Sequence, residues 1–347
     1  MRVAILGSGA MGTVMGAFLT KNGLSVEMID NYEEHVKVMQ AQGATITGFA
    51  NLTVPVTAYT TVQMHGVYDL IFLFTKQLSN MQLLPAILPF LHDKSTICTL
   101  QNGVPEPYVA EFVGKERTVG GTVLWGATFI KPGVSELTQD ISTSDHLFEI
   151  GEISGEITER IGIVADVLRL MGPVKVTTTL MASRWGKLVN NACMSGMSAV
   201  CGATFGEIRD HPVARACLSY LGQEVKVCCE ADGYQLPVLL GNCSPDSLGF
   251  QSQEVFDESQ RMFISMYKGF DLAKASMLQD LEKGRQTEVR MINGYVCQTG
   301  NQYDIQTPFN DKVVEIVSAI EQGRMSCSME NLNLFPPEWF RFQFYKA

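Results

Sequence analysis

Between residues 185 and 196 the chain reads WGKLVNNACMSG, and three of these residues could do chemistry together. Lys187, Asn191 and Ser195 recur at steps of four, so an amine, an amide and a hydroxyl stack on one stripe of a helix while Leu188, Val189, Ala192 and Met194 take the flanks. On a surface, such a stripe is the solvated edge of an amphipathic helix. Buried, it is different: an ammonium out of water costs several kcal/mol unless paired. Desolvation also draws its pKa down from about 10.4 toward the range where it can give up a proton near neutral pH. The spacing leaves both readings open. A carboxylate of interest lies in KASMLQDLEKGRQTEVRMINGY, where Thr287 precedes a new apolar periodicity and Glu288 falls in its first turn. A helix dipole favours an acid there, so on this feature alone Glu288 is an ordinary first-turn residue.

The elements that would position a ligand begin at the N-terminus. RVAIL is a compact apolar run suited to a strand buried on both faces; GSGAMG follows at once, then TVMGAFLTKNG with helical spacing and a closing Gly23. In such a strand-turn-helix, Gly7 permits the tight turn, Gly9 lets backbone approach a pyrophosphate and Gly12 lets the helix pack closely on the strand. The helix N-terminus offers free N–H groups to the anion, which makes Gly7, Ser8, Gly9, Ala10, Met11 and Gly12 a candidate dinucleotide cradle. The next strand, SVEMI, ends at Asp30, about 18 residues past Gly12, where a dinucleotide-binding unit places an acid against the adenosine ribose hydroxyls. A carboxylate there repels a 2′-phosphate, and no Arg or Lys follows before Lys37, so NADH is favoured over NADPH. The plainer reading, a polar residue at a strand end, stays open. DLIFLF stops at Thr75 and Lys76, and STICTL at Gln101, Asn102 and Gly103. Ligands of open parallel sheets lie beyond the carboxyl ends of the strands, so Lys76 and Asn102 are candidate cofactor or substrate contacts.

Composition bounds the rest. A chain of 347 residues suits two domains, and a net charge of -10 with no basic run leaves no footprint for nucleic acid or anionic lipid. Nine cysteines without a CxxC pair read as reduced core thiols of a cytoplasmic protein, and five histidines without ligand spacing give no metal site. No apolar run approaches a membrane span, and the short apolar N-terminus runs straight into glycines, unlike an export signal. From TVGGTVLW through GVSELT and HLFEIGEI the pattern alternates, which predicts a β-rich edge to the first domain, with LMGPVKVTTT as its tail. Beyond residue 178 the periodicity is helical, including one continuous helix over LMASRWGKLVNNACMSGMSAV. The expected division is therefore 1–177 and 178–347. QLPVLLGNCSPDSLG is expected to loop out, and the aromatic tail SMENLNLFPPEWFRFQFYKA to pack on its own domain or on a second subunit.

GSGAMG, FTKQ around Lys76, QNGV around Asn102, KLVNN from Lys187 and above all SMLQDLEKGRQTE ending at Glu288 give the chain a resemblance to the ketopantoate reductase (2-dehydropantoate 2-reductase) family along nearly its whole length. The resemblance implies an α/β fold: an N-terminal Rossmann dinucleotide-binding domain followed by an all-helical C-terminal domain, with the active site between them. It implies that Lys187 donates the proton to the substrate carbonyl and that Glu288 orients it. Asn191 and Ser276 would contact substrate, with Ser195 as a further substrate position; Asn102 would hold the nicotinamide end, and Lys76 would sit near cofactor and substrate. A homodimer is expected.

The chain departs from the family at Ser195, where a second asparagine is usual, at Arg290, where an Asp is usual, and at Ala273, where some members use an amide. Asp30 opposes the family's usual NADPH preference, and residues 235–265 and the tail lengthen the chain beyond a minimal member. The activity expected is NAD(P)H-dependent reduction of a 2-oxo acid to a D-2-hydroxy acid, with ketopantoate to (R)-pantoate foremost. The alternatives are an NADH-dependent D-mandelate-type dehydrogenase and a dinucleotide-binding sensor without turnover.

Overall fold

The computed structural model describes residues 1–342, and its contacts divide the chain into two units, Met1–Leu180 and Met181–Ala347. The first unit is built on twelve strands and five helices. The strands are β1 (Val3–Leu6), β2 (Val26–Ile29), β3 (Ala44–Gly48), β4 (Leu52–Val54), β5 (Thr57–Tyr59), β6 (Tyr68–Leu73), β7 (Leu91–Thr99), β8 (Thr118–Val123), β9 (Ala127–Lys131), β10 (Val134–Leu137), β11 (Phe148–Glu152) and β12 (Val174–Val176). The helices are α1 (Ala10–Lys21), α2 (Glu33–Gln42), α3 (Asn80–Ile87), α4 (Glu106–Val113) and α5 (Glu159–Arg169).

Eight strands form one sheet in the order β5-β2-β1-β6-β7-β8-β11-β12. The first six run parallel, and β11 joins β8 antiparallel. The order reverses between β1 and β6, the switch point beside which ligands of such sheets bind. Strand β1 shows why the apolar run folds this way: Val3 and Ile5 enter the core on one face, Ala4 and Leu6 the core on the other, and all four are sealed from water.

The expected β-rich edge is more elaborate than its pattern suggests. Strands β9 and β10 leave the main sheet and pair with β3 and β4 in a second sheet, ordered β4-β3-β10-β9, and α1 packs against both sheets. Helix α5 also lies within that stretch; Thr158 caps it through Ile161 N, and Ile161, Val164, Ala165 and Leu168 form its buried stripe.

The second unit is helical. It contains α6 (Leu180–Asn190), α7 (Gly196–Cys201), α8 (Phe205–Asp210), α9 (Pro212–Ala231), α10 (Gln253–Met266), α11 (Ser276–Glu282), α12 (Val289–Gln302) and α13 (Pro308–Glu321). The continuous helix expected over 180–200 is broken: residues Asn191–Ser195 form a π turn between α6 and α7. Helix α9, with twelve buried residues, is the element around which the others gather. Residues 240–249 make two short 3-10 turns within the expected loop. The tail packs on its own unit as far as it is described, with Trp339 and Phe340 against Phe309 and Phe342 against Phe250 and Phe256. Residues 343–347 of the expected tail lie outside the described residues.

Candidate active site

In the first unit the glycine turn joins β1 to α1 at the carboxyl edge of the sheet. Gly7 has φ +96°, and a side chain there would collide with the Thr75 backbone, so the turn can lie directly on the end of β6. Gly12 lies equally tightly against the Gly7 carbonyl. Gly9 differs: an added Cβ would meet nothing within 4 Å, which leaves open space on the outer side of the turn. The first intrahelical bond runs from Thr13 N to Gly9 O at 2.9 Å, so the N–H groups of Gly9, Ala10, Met11 and Gly12 precede the helical ladder. Open space over four such N–H groups, with no acidic residue in the first turn, fits a pyrophosphate.

Asp30 stands just past β2, partly accessible, with Oδ1 accepting from Tyr32 N at 2.9 Å. This bond ties one carboxylate oxygen to the turn that follows β2. Lys76 and Asn102 occupy the ends of β6 and β7, and a set of buried amides that sequence reasoning missed ties these ends together. Gln101 Nε2 donates to Thr75 O at 2.8 Å and to Asn80 Oδ1 at 2.8 Å, Asn80 Nδ2 returns a bond to Gln101 Oε1 at 3.0 Å, and Gln77 donates to Asn102 O. Polar residues clustered after two buried strands were the available signal.

In the second unit Lys187 lies in the last turn of α6, partly accessible, with Asn191 also partly accessible and Ser195 buried. Burial and the neighbouring Arg184 guanidinium lower the Lys187 ammonium from 10.5 to about 8, while the Glu288 carboxylate pulls in the opposite direction. Arg184, fully buried three residues before Lys187, was not singled out in the sequence, although its place on the same stripe was the signal. Glu288 is buried and sits at the cap position of α12, rather than within its first turn. The reason is local. Thr287 gives its N–H and hydroxyl to Glu321 Oε1, at 2.7 and 2.6 Å, and its own Oγ1 accepts from Val289 N at 3.2 Å, so the chain turns one residue later than the periodicity suggests.

The π turn changes what the spacing of Lys187, Asn191 and Ser195 means. Steps of four drift off line on an α-helix; a wider turn advances less per residue and brings Asn191 and Ser195 closer to one line. A distant network supports this turn. Asn293 of α12 donates from Nδ2 to Ala192 O and to Asn310 Oδ1, both at 2.9 Å. Asn310 in turn gives its N–H, at 2.9 Å, and Nδ2, at 2.7 Å, to Glu224 Oε2, while Phe309 N donates to Oε1 at 2.9 Å. Burial pushes the Glu224 carboxyl up to about 8, and these donors at the start of α13 pull the other way. Gly196 permits the approach, since a Cβ there would lie 3.2 Å from both Asn293 side-chain polar atoms.

Ser276 is exposed as the first residue of α11. Arg290 is exposed on α12 and donates to Ser318 Oγ at 3.4 Å. All nine cysteines are free and seven are buried, as core thiols would be.

A glycine turn at the switch point of a doubly wound sheet is the frame of a dinucleotide-binding domain, and the helical unit that follows carries a lysine of lowered pKa beside a buried arginine. Residues 3–151 match the family described as Ketopantoate reductase PanE/ApbA, and residues 179–321 its C-terminal part. The chain belongs to the ketopantoate reductase family, whose chemistry is NAD(P)H-dependent reduction of 2-oxo acids.

Among its relatives is a 2-dehydropantoate 2-reductase of Lactococcus lactis subsp. lactis (strain IL1403), 27% identical over 333 residues, covering 93% of this chain and 98% of the relative. The enzyme of that name from Pyrococcus horikoshii is also 27% identical, over 326 residues, covering 92% and 98%. Two solved structures share the fold. One is D-mandelate dehydrogenase with NADH and anilino(oxo)acetate, with TM-score 0.79, 24% identity and coverage of 93% and 99%. The other is a PanE/ApbA family ketopantoate reductase from Ralstonia eutropha JMP134, with TM-score 0.78, 21% identity and coverage of 93% and 99%. Among the described residues no helix is long and apolar enough to cross a membrane.

Proposed function

We propose that this chain reduces 2-dehydropantoate to (R)-pantoate, with Lys187 as the proton donor. The observation that carries the reading is a lysine amine set beside a buried guanidinium and a buried carboxylate, on the stripe that also bears Asn191 and Ser195. Bound NADH or NADPH supplies a hydride to the substrate's carbonyl carbon. As negative charge grows on the carbonyl oxygen, the Lys187 ammonium gives it a proton and is left as a neutral amine, which water reprotonates. An amine lowered to about 8 is still largely charged at neutral pH and gives up its proton more readily than an ordinary lysine.

In this reading Glu288 holds the amine in place and limits how far its pKa falls. Asn191, Ser195 and Ser276 bind substrate oxygens. Residues 7–12 hold the pyrophosphate, Asp30 takes the ribose hydroxyls, and Lys76 and Asn102 flank the nicotinamide end. Relatives named 2-dehydropantoate 2-reductase that align over nearly the whole chain support the substrate.

A second reading has observations of its own. Ser195 and Ala273 shorten the side chains expected to meet the substrate, Asp30 favours NADH, and the D-mandelate dehydrogenase fold overlays closely. In that reading the chain is an NADH-dependent D-2-hydroxyacid dehydrogenase acting on another branched or aromatic 2-oxo acid.

Purified protein assayed with NADH and NADPH in parallel, against 2-dehydropantoate, 2-oxoisovalerate, 2-oxoisocaproate and phenylglyoxylate, separates the two. Highest kcat/KM on 2-dehydropantoate supports the first. Preference for phenylglyoxylate or a simple branched acid replaces it with the second. Cofactor binding without oxidation on any of the four removes both and leaves a non-catalytic dinucleotide sensor.

A further inference from the structure

The glycine turn is held from outside by a histidine. His35, in the first turn of α2, is sealed from water and bonds at both ring nitrogens. Its Nε2 lies 2.7 Å from the Ser8 carbonyl oxygen, which can only accept, so Nε2 carries the hydrogen. Its Nδ1 accepts from Gly133 N at 2.8 Å, in the turn between β9 and β10. The two partners together fix one neutral tautomer, because a hydrogen on Nδ1 would face the Gly133 N–H. Tyr32 stacks on the ring, with centroids 6.3 Å apart, and Phe129 meets its edge at 5.1 Å. Thr13 adds a second donor to the same carbonyl, its Oγ1 lying 2.6 Å from Ser8 O.

The consequence lies in the peptide unit that Ser8 shares with Gly9. This peptide is trans, so its C=O and N–H point in opposite directions. One donor from α2 and one from α1 hold Ser8 O, and the Gly9 N–H is therefore aimed away from the His35 ring and the Thr13 hydroxyl. Gly9 is the residue above which the structure leaves open space. Gly133 passes the restraint on to the second sheet, since its carbonyl accepts from Thr45 N of β3 at 2.8 Å.

We propose that His35 is a positioning residue for the dinucleotide: by clamping the Ser8 carbonyl to the β9–β10 turn, it presets the Gly9 N–H for the pyrophosphate. The proposal rests on the glycine turn being the cofactor cradle, and it assigns a role in binding to a residue outside the cradle. It also gives the second sheet a function, as the anchor of that clamp.

Calorimetric titration of the apo-protein with NADH, ADP-ribose and adenosine tests it, using wild type, His35→Leu, His35→Gln and Thr13→Val. Glutamine keeps one donor and one acceptor, and valine removes only the second donor. In His35→Leu, affinity for NADH and ADP-ribose is expected to fall about 5- to 10-fold, the worth of one net hydrogen bond, with adenosine affinity unchanged. His35→Gln is expected to recover most of the loss, and Thr13→Val to show a smaller loss in the same two ligands. These two variants carry the test if His35→Leu does not fold.

Unchanged NADH affinity in folded variants overturns the proposal, and so does an equal loss for adenosine, which would mean that His35 supports the fold alone. A wild type that binds neither NADH nor ADP-ribose sinks the cradle itself and the proposal with it, an outcome distinct from the others.

Discussion

The glycine turn of residues 7–12 and the π turn of residues 191–195 each hold backbone in a shape that an ordinary strand or helix does not adopt, and they do it by different means. The first is written into its own residues: Gly7 takes a left-handed conformation, Gly7 and Gly12 make backbone approaches that no side chain permits, and His35 adds a remote restraint. The second contains residues compatible with an ordinary helix and relies on Asn293, Asn310 and Glu224, from three other helices' length of chain, to meet its Ala192 carbonyl. Locally encoded shape is robust to distant substitution, whereas a shape held by side chains elsewhere fails when any link is cut.

Substitutions can break or sharpen this contrast. The largest effect is expected from Gly12→Ala, because the added Cβ would collide with the Gly7 carbonyl and neither backbone can yield without losing the turn. A loss of about 3 kcal/mol or more is expected, read as a fall in Tm; a Tm close to wild type would show that the turn is looser than described. Asn293→Leu comes next. It leaves two buried acceptors, the Ala192 carbonyl and Asn310 Oδ1, without their donor, at a cost of about 2 to 3 kcal/mol. It is also expected to raise KM for the 2-oxo acid while NADH affinity stays as in wild type. Equal losses of substrate and cofactor affinity would mean that the network supports the fold in general and not the stripe.

Gly9→Ala is expected to leave Tm within about 1 °C of wild type, since nothing lies within 4 Å of the new methyl. NADH affinity should nevertheless fall about tenfold or more, because the methyl takes the space of the ligand. Destabilisation without a binding defect would reverse the assignment of that space. The smallest effect is expected at Asp30→Ala: removing a charge that repels a 2′-phosphate should narrow the NADH-to-NADPH preference by about a few-fold, to at most tenfold. An unchanged ratio of kcat/KM values would mean that the ribose is read elsewhere.

The contrast also explains what could be read from the sequence. The β1-turn-α1 unit was legible because Gly7, Gly9 and Gly12 are residue types chosen by their own backbone. The buried runs of β6 and β7 were legible because strands covered on both faces are apolar throughout. The π turn was not, since NNACMSG suits an α-helix and its cause lies at Asn293. Glu288 shifted from first turn to cap because Thr287 is claimed by Glu321, 34 residues beyond Thr287. Arg184 and His35 passed unnoticed for a related reason: an arginine and a histidine in helices read as surface residues until their partners are seen. Helix α5 carried its own apolar period and was overlooked among strands and glycines, and the pairing of β3 with β10 is a contact between distant stretches that no local pattern announces.

The central claim, that Lys187 delivers the proton, is tested most directly by the pH dependence of kcat for 2-oxo acid reduction in wild type and Lys187→Ala at saturating NADH. The acid form does the work, and the folded value of about 8 lies below the ordinary 10.5. Wild-type turnover should therefore be level below about 8 and fall as pH rises through it. The variant should be slower by about 10² to 10⁴ and lack that inflection, with NADH affinity intact. A variant within a few-fold of wild type, or one that keeps the same inflection, would place the proton donor on another residue.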